Sequence, residues 1–121
     1  MRLLIVDDDP GQLYFLEKSF ISLDGYDTYS AYNADEAWEV YQTVPGIDVV
    51  ITDYQCGGKK LRNGVELIQA IRKMNPHQHC ILQTSERGTL LPGTPQLHKP
   101  FGIRQLMRLL RLPVQPLLPL Q

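Results

Sequence analysis

LLIVDDD, residues 3–9, sets four apolar side chains directly against three consecutive carboxylates. A short, uninterrupted run of branched apolar residues suits a strand buried on both faces, because a strand with one wet face would alternate polar and apolar positions. The acidic triplet is the unusual part. Carboxylates held about 4 Å apart repel by roughly 4 kcal/mol at an effective dielectric near 20, so Asp7, Asp8 and Asp9 should spread apart unless something cationic sits among them. Aspartate is also an ordinary turn residue. At this point a solvated acidic turn and the rim of a cation-binding site both remain open.

The same strand-then-polar pattern recurs downstream. Residues 47–52 (IDVVIT) read as a strand ending at Asp53, residues 79–84 (HCILQT) as one ending at Thr84, and a short apolar piece around Leu97 as one ending at Lys99. Residues 27–32 make a further strand. Between them the period changes to that of helices. Pro10 suits a first helical turn, and Leu13, Leu16, Phe20 and Leu23 follow at three- and four-residue spacing until Asp24-Gly25. Asn33 with Glu36 resembles a capping box ahead of an inner face of Ala37, Trp38, Tyr41 and Val44. After the loop YQCGGKKLRN come Val65, Ile68 and Ile71, and near the end Ile103, Leu106, Met107 and Leu110. Strands alternating with helices imply an α/β fold, a parallel sheet covered on both faces through right-handed crossovers. Ligands bind such sheets at the carboxyl ends of the strands. Asp7, Asp8, Asp53, Thr84 and Lys99 would all gather there, offering oxygens to a hard cation, donors to phosphate oxygens and a carboxylate able to attack phosphorus.

Composition bounds the rest. A chain of 121 residues, 43% hydrophobic and 21% charged, fits one compact domain. Its opening apolar run is too short for a signal peptide, and no segment approaches the length of a bilayer span, so a cytoplasmic location without membrane contact is expected. Cys56 and Cys80 form no CxxC pair, and HQHC at 77–80 reads as loop and strand rather than a metal tract. Charge is divided: residues 1–57 carry eleven carboxylates and two basic side chains, residues 58–121 two and ten. That favours a charged partner on one side, yet no helix-turn-helix or aromatic-basic interleaving speaks for nucleic acid.

Taken together, IVDDD (5–9), VVITDY (49–54), NGVELI (63–68), ILQTS (81–85) and HKPF (98–101) make the chain resemble a response regulator receiver domain of two-component signalling, over residues 1–112, with 113–121 as a proline-rich tail or linker. The resemblance implies a flavodoxin-like, doubly wound, five-stranded parallel sheet of order 2-1-3-4-5. It implies that Asp53 takes a phosphoryl group from a phosphohistidine on a histidine kinase or phosphotransfer protein, as a signalling phosphoacceptor whose only catalysis is Mg²⁺-dependent self-phosphorylation and self-dephosphorylation. Asp7, Asp8, Asp53 and the Gln55 backbone carbonyl would hold Mg²⁺, Thr84 would donate to a phosphoryl oxygen, and Lys99, ahead of a cis Pro100, would pair with the phosphate. Asp9 reads as an N-terminal residue of the first helix, favoured by the helix dipole.

Three departures from that family stand out. Only SERGTLLPGTPQLH separates Thr84 from Lys99, and Gly88, Pro92, Gly93 and Pro95 predict that the family's fourth helix is missing or reduced. Gln96 stands where many receivers carry an aromatic switch residue. The loop after Asp53 is long and lacks the common Met-Pro pair. Residues 85–95 are therefore expected to carry any signal by ordering and disordering, and output is expected through protein contact, with Arg104, Arg108 and Arg111 on one stripe as a candidate face. The main alternative is a phosphorylation-independent binding module on a receiver fold. The Asp7-x-Asp9 pattern is also similar to haloacid-dehalogenase-type phosphatases, but Gly11 stands where that motif wants Thr or Val, and Asp53 is left without a role.

Overall fold

The computed structural model describes residues 1–111. The tail assigned to 113–121 lies outside them. Five strands, β1 (Arg2–Val6), β2 (Asp27–Ala31), β3 (Val49–Asp53), β4 (His79–Thr84) and β5 (Gln96–His98), form one sheet of order β2-β1-β3-β4-β5, with every neighbouring pair parallel. Four helices, α1 (Pro10–Ile21), α2 (Ala34–Thr43), α3 (Gly64–Met74) and α4 (Ile103–Leu110), cover it. This is the flavodoxin-like arrangement that the resemblance implied.

Strand alternation divides the apolar run into two cores. Leu4 and Val6 face one side, where Ala34 and Ala37 of α2 and Leu67, Ile68 and Ile71 of α3 meet Val50, Cys80 and Leu82. Leu3 and Ile5 face the other, against Leu13, Leu16 and Phe20 of α1 and Leu106 and Leu110 of α4. A buried Leu or Ile contributes about 2 kcal/mol by leaving water, so both faces of β1 are held by their own layer. The continuous apolar run is thus explained by two cores rather than one.

Helix starts follow local chemistry. The Asp9 side chain caps α1 by accepting from the Gly11 amide at 2.9 Å, and Pro10 needs no amide partner there. Asn33 and Asn63 cap α2 and α3 by accepting from the amides of Glu36 (2.9 Å) and Glu66 (3.0 Å). Edges differ from the periodicity reading by a residue or two. Leu23 lies beyond the end of α1 and is exposed, Tyr32 is exposed past β2, and β3 begins at Val49 because Asp48 turns its carboxylate onto the Arg2 amide at 2.7 Å.

No helix forms between β4 and β5. Residues 85–95 cross irregularly, and Leu90 and Leu91 pack against the α2/α3 core where a helix face would otherwise sit. Among the described residues, no helix is long and apolar enough to cross a membrane.

Candidate functional site

Parallel register brings the strand ends into one line. Val6 pairs with Thr52 and Asp53 with Gln83, so the residues following β1 and ending β3 and β4 stand side by side at the same edge. Asp7 is fully buried there and Asp53 nearly so, while Asp8 is exposed at the mouth. Each of the three offers a carboxylate oxygen within 4.8 Å of the others. Lys99 reaches in from the far side of β5, its Nζ 3.1 Å from Asp53 Oδ1 and 3.4 Å from Asp7 Oδ2. The Lys99-Pro100 peptide is cis. Thr84 is buried at the end of β4, and its hydroxyl accepts from the Glu86 amide at 2.9 Å.

The remaining contacts of Asp7 hold it in place. Its Oδ1 accepts from the Asp9 amide at 2.9 Å and its Oδ2 from Gln83 Nε2 at 3.0 Å. Burial nonetheless pushes its carboxyl above the usual range, and the Asp53 charge adds to this, against the opposing pull of the Asp9 amide and Lys99. For Lys99, burial draws the ammonium down, but the hydrogen bond and charge of Asp53, and then Asp7, outweigh it and hold it above its ordinary value. One ammonium among three carboxylates leaves a surplus of negative charge that an oxygen-loving dication offsets well. The donor set is all oxygen, which suits Mg²⁺ rather than a softer metal.

The long loop after Asp53 is held by a residue the sequence reading passed over. Asp35, in the first turn of α2, accepts backbone amides from Lys59 (2.6 Å), Lys60 (3.0 Å) and Leu61 (2.8 Å). Such a run of amides converging on one carboxylate is an anion cradle closed from within. Its formation depends on Gly58, where a Cβ would lie 2.4 Å from the Asp35 carboxyl carbon. The paired glycines before Lys59 were the available signal. Farther in, the Ala34 amide donates to the Cys56 carbonyl at 2.7 Å and the Gly64 amide to the Tyr54 carbonyl at 2.8 Å, which fixes the backbone on either side of Gln55. Gly64 is needed for a second reason: a Cβ there would fall 2.3 Å from the Asp53 carbonyl oxygen, so α3 can start this close to the pocket only without a side chain.

Other candidates lie elsewhere. Burial pushes the Cys56 thiol up to about 11 and the Cys80 thiol up to about 12, so neither offers a thiolate. His79 is buried at the opposite end of β4 from Thr84, apart from the three-carboxylate cluster. Arg104, Arg108 and Arg111 are all exposed, turned away from the buried Leu106 and Leu110.

Comparison with known proteins matches this geometry. The family model for the response regulator receiver domain matches residues 3–111. The transcriptional regulatory protein CpxR of Escherichia coli K12 is 26% identical over 118 residues, covering 91% of this chain and 47% of CpxR, so the chain spans about half the length of the curated relatives it matches. The receiver domain of Francisella response regulator 1452 superposes with a TM-score of 0.77 at 28% identity, covering 89% of this chain and 92% of that one. Thermotoga maritima TrrA, solved in complex with Mg²⁺ and BeF, gives 0.74 at 27% identity over 88% of this chain and 93% of its own. With the profile spanning nearly every described residue and the acidic strand-end cluster in place, this chain belongs to the response regulator receiver domain family of two-component signalling.

Proposed function

We propose that Asp53 is the phosphoacceptor of a cytoplasmic two-component pathway, phosphorylated from a phosphohistidine on a histidine kinase or phosphotransfer protein. The observation that carries this reading is the Asp53 carboxylate itself, buried at the end of β3, 3.1 Å from the Lys99 ammonium and within the three-carboxylate cluster. An Asp53 carboxylate oxygen attacks phosphorus; the new O–P bond forms as the P–N bond to the imidazole breaks, and the imidazole leaves with that electron pair and takes a proton. Lys99 neutralises the charge gathering on the phosphoryl oxygens, and the Thr84 hydroxyl donates to one of them. Asp7, Asp8, Asp53 and the Gln55 carbonyl would hold Mg²⁺, which when bound would offset the repulsion between carboxylates and phosphoryl group. Output passes by protein contact, with the exposed Arg104, Arg108 and Arg111 face meeting an acidic partner.

Incubation with acetyl phosphate and Mg²⁺, read by intact mass, tests the assignment. Wild type gains one phosphoryl mass, Asp53→Ala gains none, and Asp8→Ala loses labelling with the metal. Equal labelling of wild type and Asp53→Ala would sink it. One observation favours a second reading, a binding module indifferent to phosphate: the Gln96 side chain, at the family's switch position, is fully engaged with the 85–95 crossover. Acetyl phosphate labelling separates the two, and hydrogen exchange with and without beryllofluoride tests the crossover: unchanged protection of residues 85–95 would refute a switch there and favour a receiver that merely stores or drains phosphate.

A further inference from the structure

Gln83 occupies a place in β4 that packing alone would give to an apolar residue. Leu82 and Thr84 flank it along the strand, its parallel partners across the sheet are Leu97 on one side and Asp53 on the other, and it is wholly removed from solvent. An apolar residue would bury no amide oxygen here, whereas the glutamine leaves its Oε1 buried with no hydrogen-bond partner. The opposite end of the same amide is engaged: Nε2 donates to Asp7 Oδ2 at 3.0 Å. Rotating the amide would set its oxygen against a carboxylate oxygen, so the donor must face Asp7. A side chain that keeps one buried end unsatisfied to hold the other on a pocket carboxylate is poorly explained by folding.

The acceptor inventory of Asp7 shows what the contact accomplishes. A carboxylate oxygen has two lone-pair positions. On Oδ2, Gln83 takes one and the Lys99 ammonium, at 3.4 Å, takes the other. On Oδ1 the Asp9 amide takes one, leaving a single position free. Lys99 sits closer to Asp53 (3.1 Å) than to Asp7 (3.4 Å), whose Oδ2 Gln83 already supplies. Without the amide, Lys99 would be the only remaining side-chain donor to a fully buried oxygen and would be drawn toward Asp7.

We propose that Gln83 is a positioning residue of the acidic pocket: by occupying Asp7 Oδ2 it turns Oδ1 toward a divalent cation and leaves the Lys99 ammonium to the phosphoacceptor. The inference rests on the reading of Asp53 as that phosphoacceptor and of the carboxylate cluster as the Mg²⁺ site. Partners of this kind to a metal-binding carboxylate typically alter metal affinity by about 10- to 100-fold.

The test uses Gln83→Leu and Gln83→Glu, with three measurements on each: Mg²⁺ affinity of the unphosphorylated protein by calorimetry, the rate of Asp53 labelling by acetyl phosphate at saturating Mg²⁺, and urea unfolding without metal. For Gln83→Leu, Mg²⁺ binding weakens about 10-fold and saturated labelling slows by a similar factor, while the unfolding midpoint is kept, since the orphaned oxygen goes together with the lost hydrogen bond. Gln83→Glu keeps the shape but replaces the donor with an acceptor, and loses more of both. Wild-type Mg²⁺ affinity and labelling in Gln83→Leu would overturn the proposal, as would losses matched by a collapse of the unfolding midpoint. If wild type itself fails to label, the phosphoacceptor reading falls, and the calorimetric comparison still decides whether Gln83 positions Asp7.

Discussion

The acidic pocket and the β4–β5 crossover lie next to each other at the same sheet edge, yet they satisfy their polar groups in opposite ways. In the pocket, three carboxylates share one ammonium, and burial holds Asp7 above its ordinary range even with three donors on it. In the crossover, several fastenings are neutral and answered within a few residues. Gln96 accepts from the Leu90 amide at 3.1 Å and donates to the Gly88 carbonyl at 2.7 Å, and the Thr84 hydroxyl accepts from the Glu86 amide. Two fastenings are charged: Arg72 of α3 donates to Thr94 at 2.7 Å, and the Glu86 carboxylate accepts from Gln55 Nε2 at 3.2 Å. The pocket has a deficit that a dication and a phosphoryl group can fill. The crossover is tied to α3 by the Arg72–Thr94 hydrogen bond. An unbalanced site thus stands next to a segment held largely by neutral hydrogen bonds, so the two can be perturbed one at a time.

The largest blow to that contrast should come from Lys99→Met. Breaking the pocket's only ion pairs leaves Asp7 and Asp53 without a cation, and we expect a loss of about 3 kcal/mol in metal-free urea unfolding, the low end for buried pairs because the Lys99 side chain keeps 26% exposure. Added Mg²⁺ should restore part of it. A metal-free loss below the scatter of the measurement would mean the carboxylates are not under-compensated. Next in size is Gln96→Ala, which removes both arms of the clasp at a cost of about 1–2 kcal/mol. Exchange should rise across residues 88–96 while acetyl phosphate labelling of Asp53 stays at the wild-type rate. Slower labelling in this variant would show that the two regions are one unit.

The smallest effect concerns pH and sets two aspartates against each other. Asp35 is held below the ordinary carboxylate range by the Leu61 and Lys60 amides, so its contribution is present above about pH 4 and fades as pH falls through its lowered folded value. Asp7 is held above that range by burial, so its ionisation opposes folding above its raised value, and the opposition disappears as pH falls toward the unfolded value. In metal-free unfolding from about pH 3 to about pH 7, Asp35→Asn should remove the stability that wild type gains with rising pH, and Asp7→Asn should remove a stability loss. Identical pH profiles for the two variants would refute the opposed environments.

How much of this was legible beforehand follows from how far each feature reaches along the chain. Strand and helix identity, the cap at Asn33, and the absence of a helix after Thr84 are local matters, written in apolar spacing, capping residues and the Gly and Pro content of a few neighbouring positions. The five polar strand ends could be read because a parallel sheet sends every strand's carboxyl end to one edge, whatever the exact register. Gln83 and Asp35 carried no such mark: each looks like an ordinary polar residue until its partner is known. Gln83 meets Asp7 across 76 positions of sequence and Asp35 meets the loop across 24 to 26. Those meetings depend on the pairing of Asp53 with Gln83 and on the angle at which α2 crosses the loop, which the packing of two cores decides and no periodic pattern encodes.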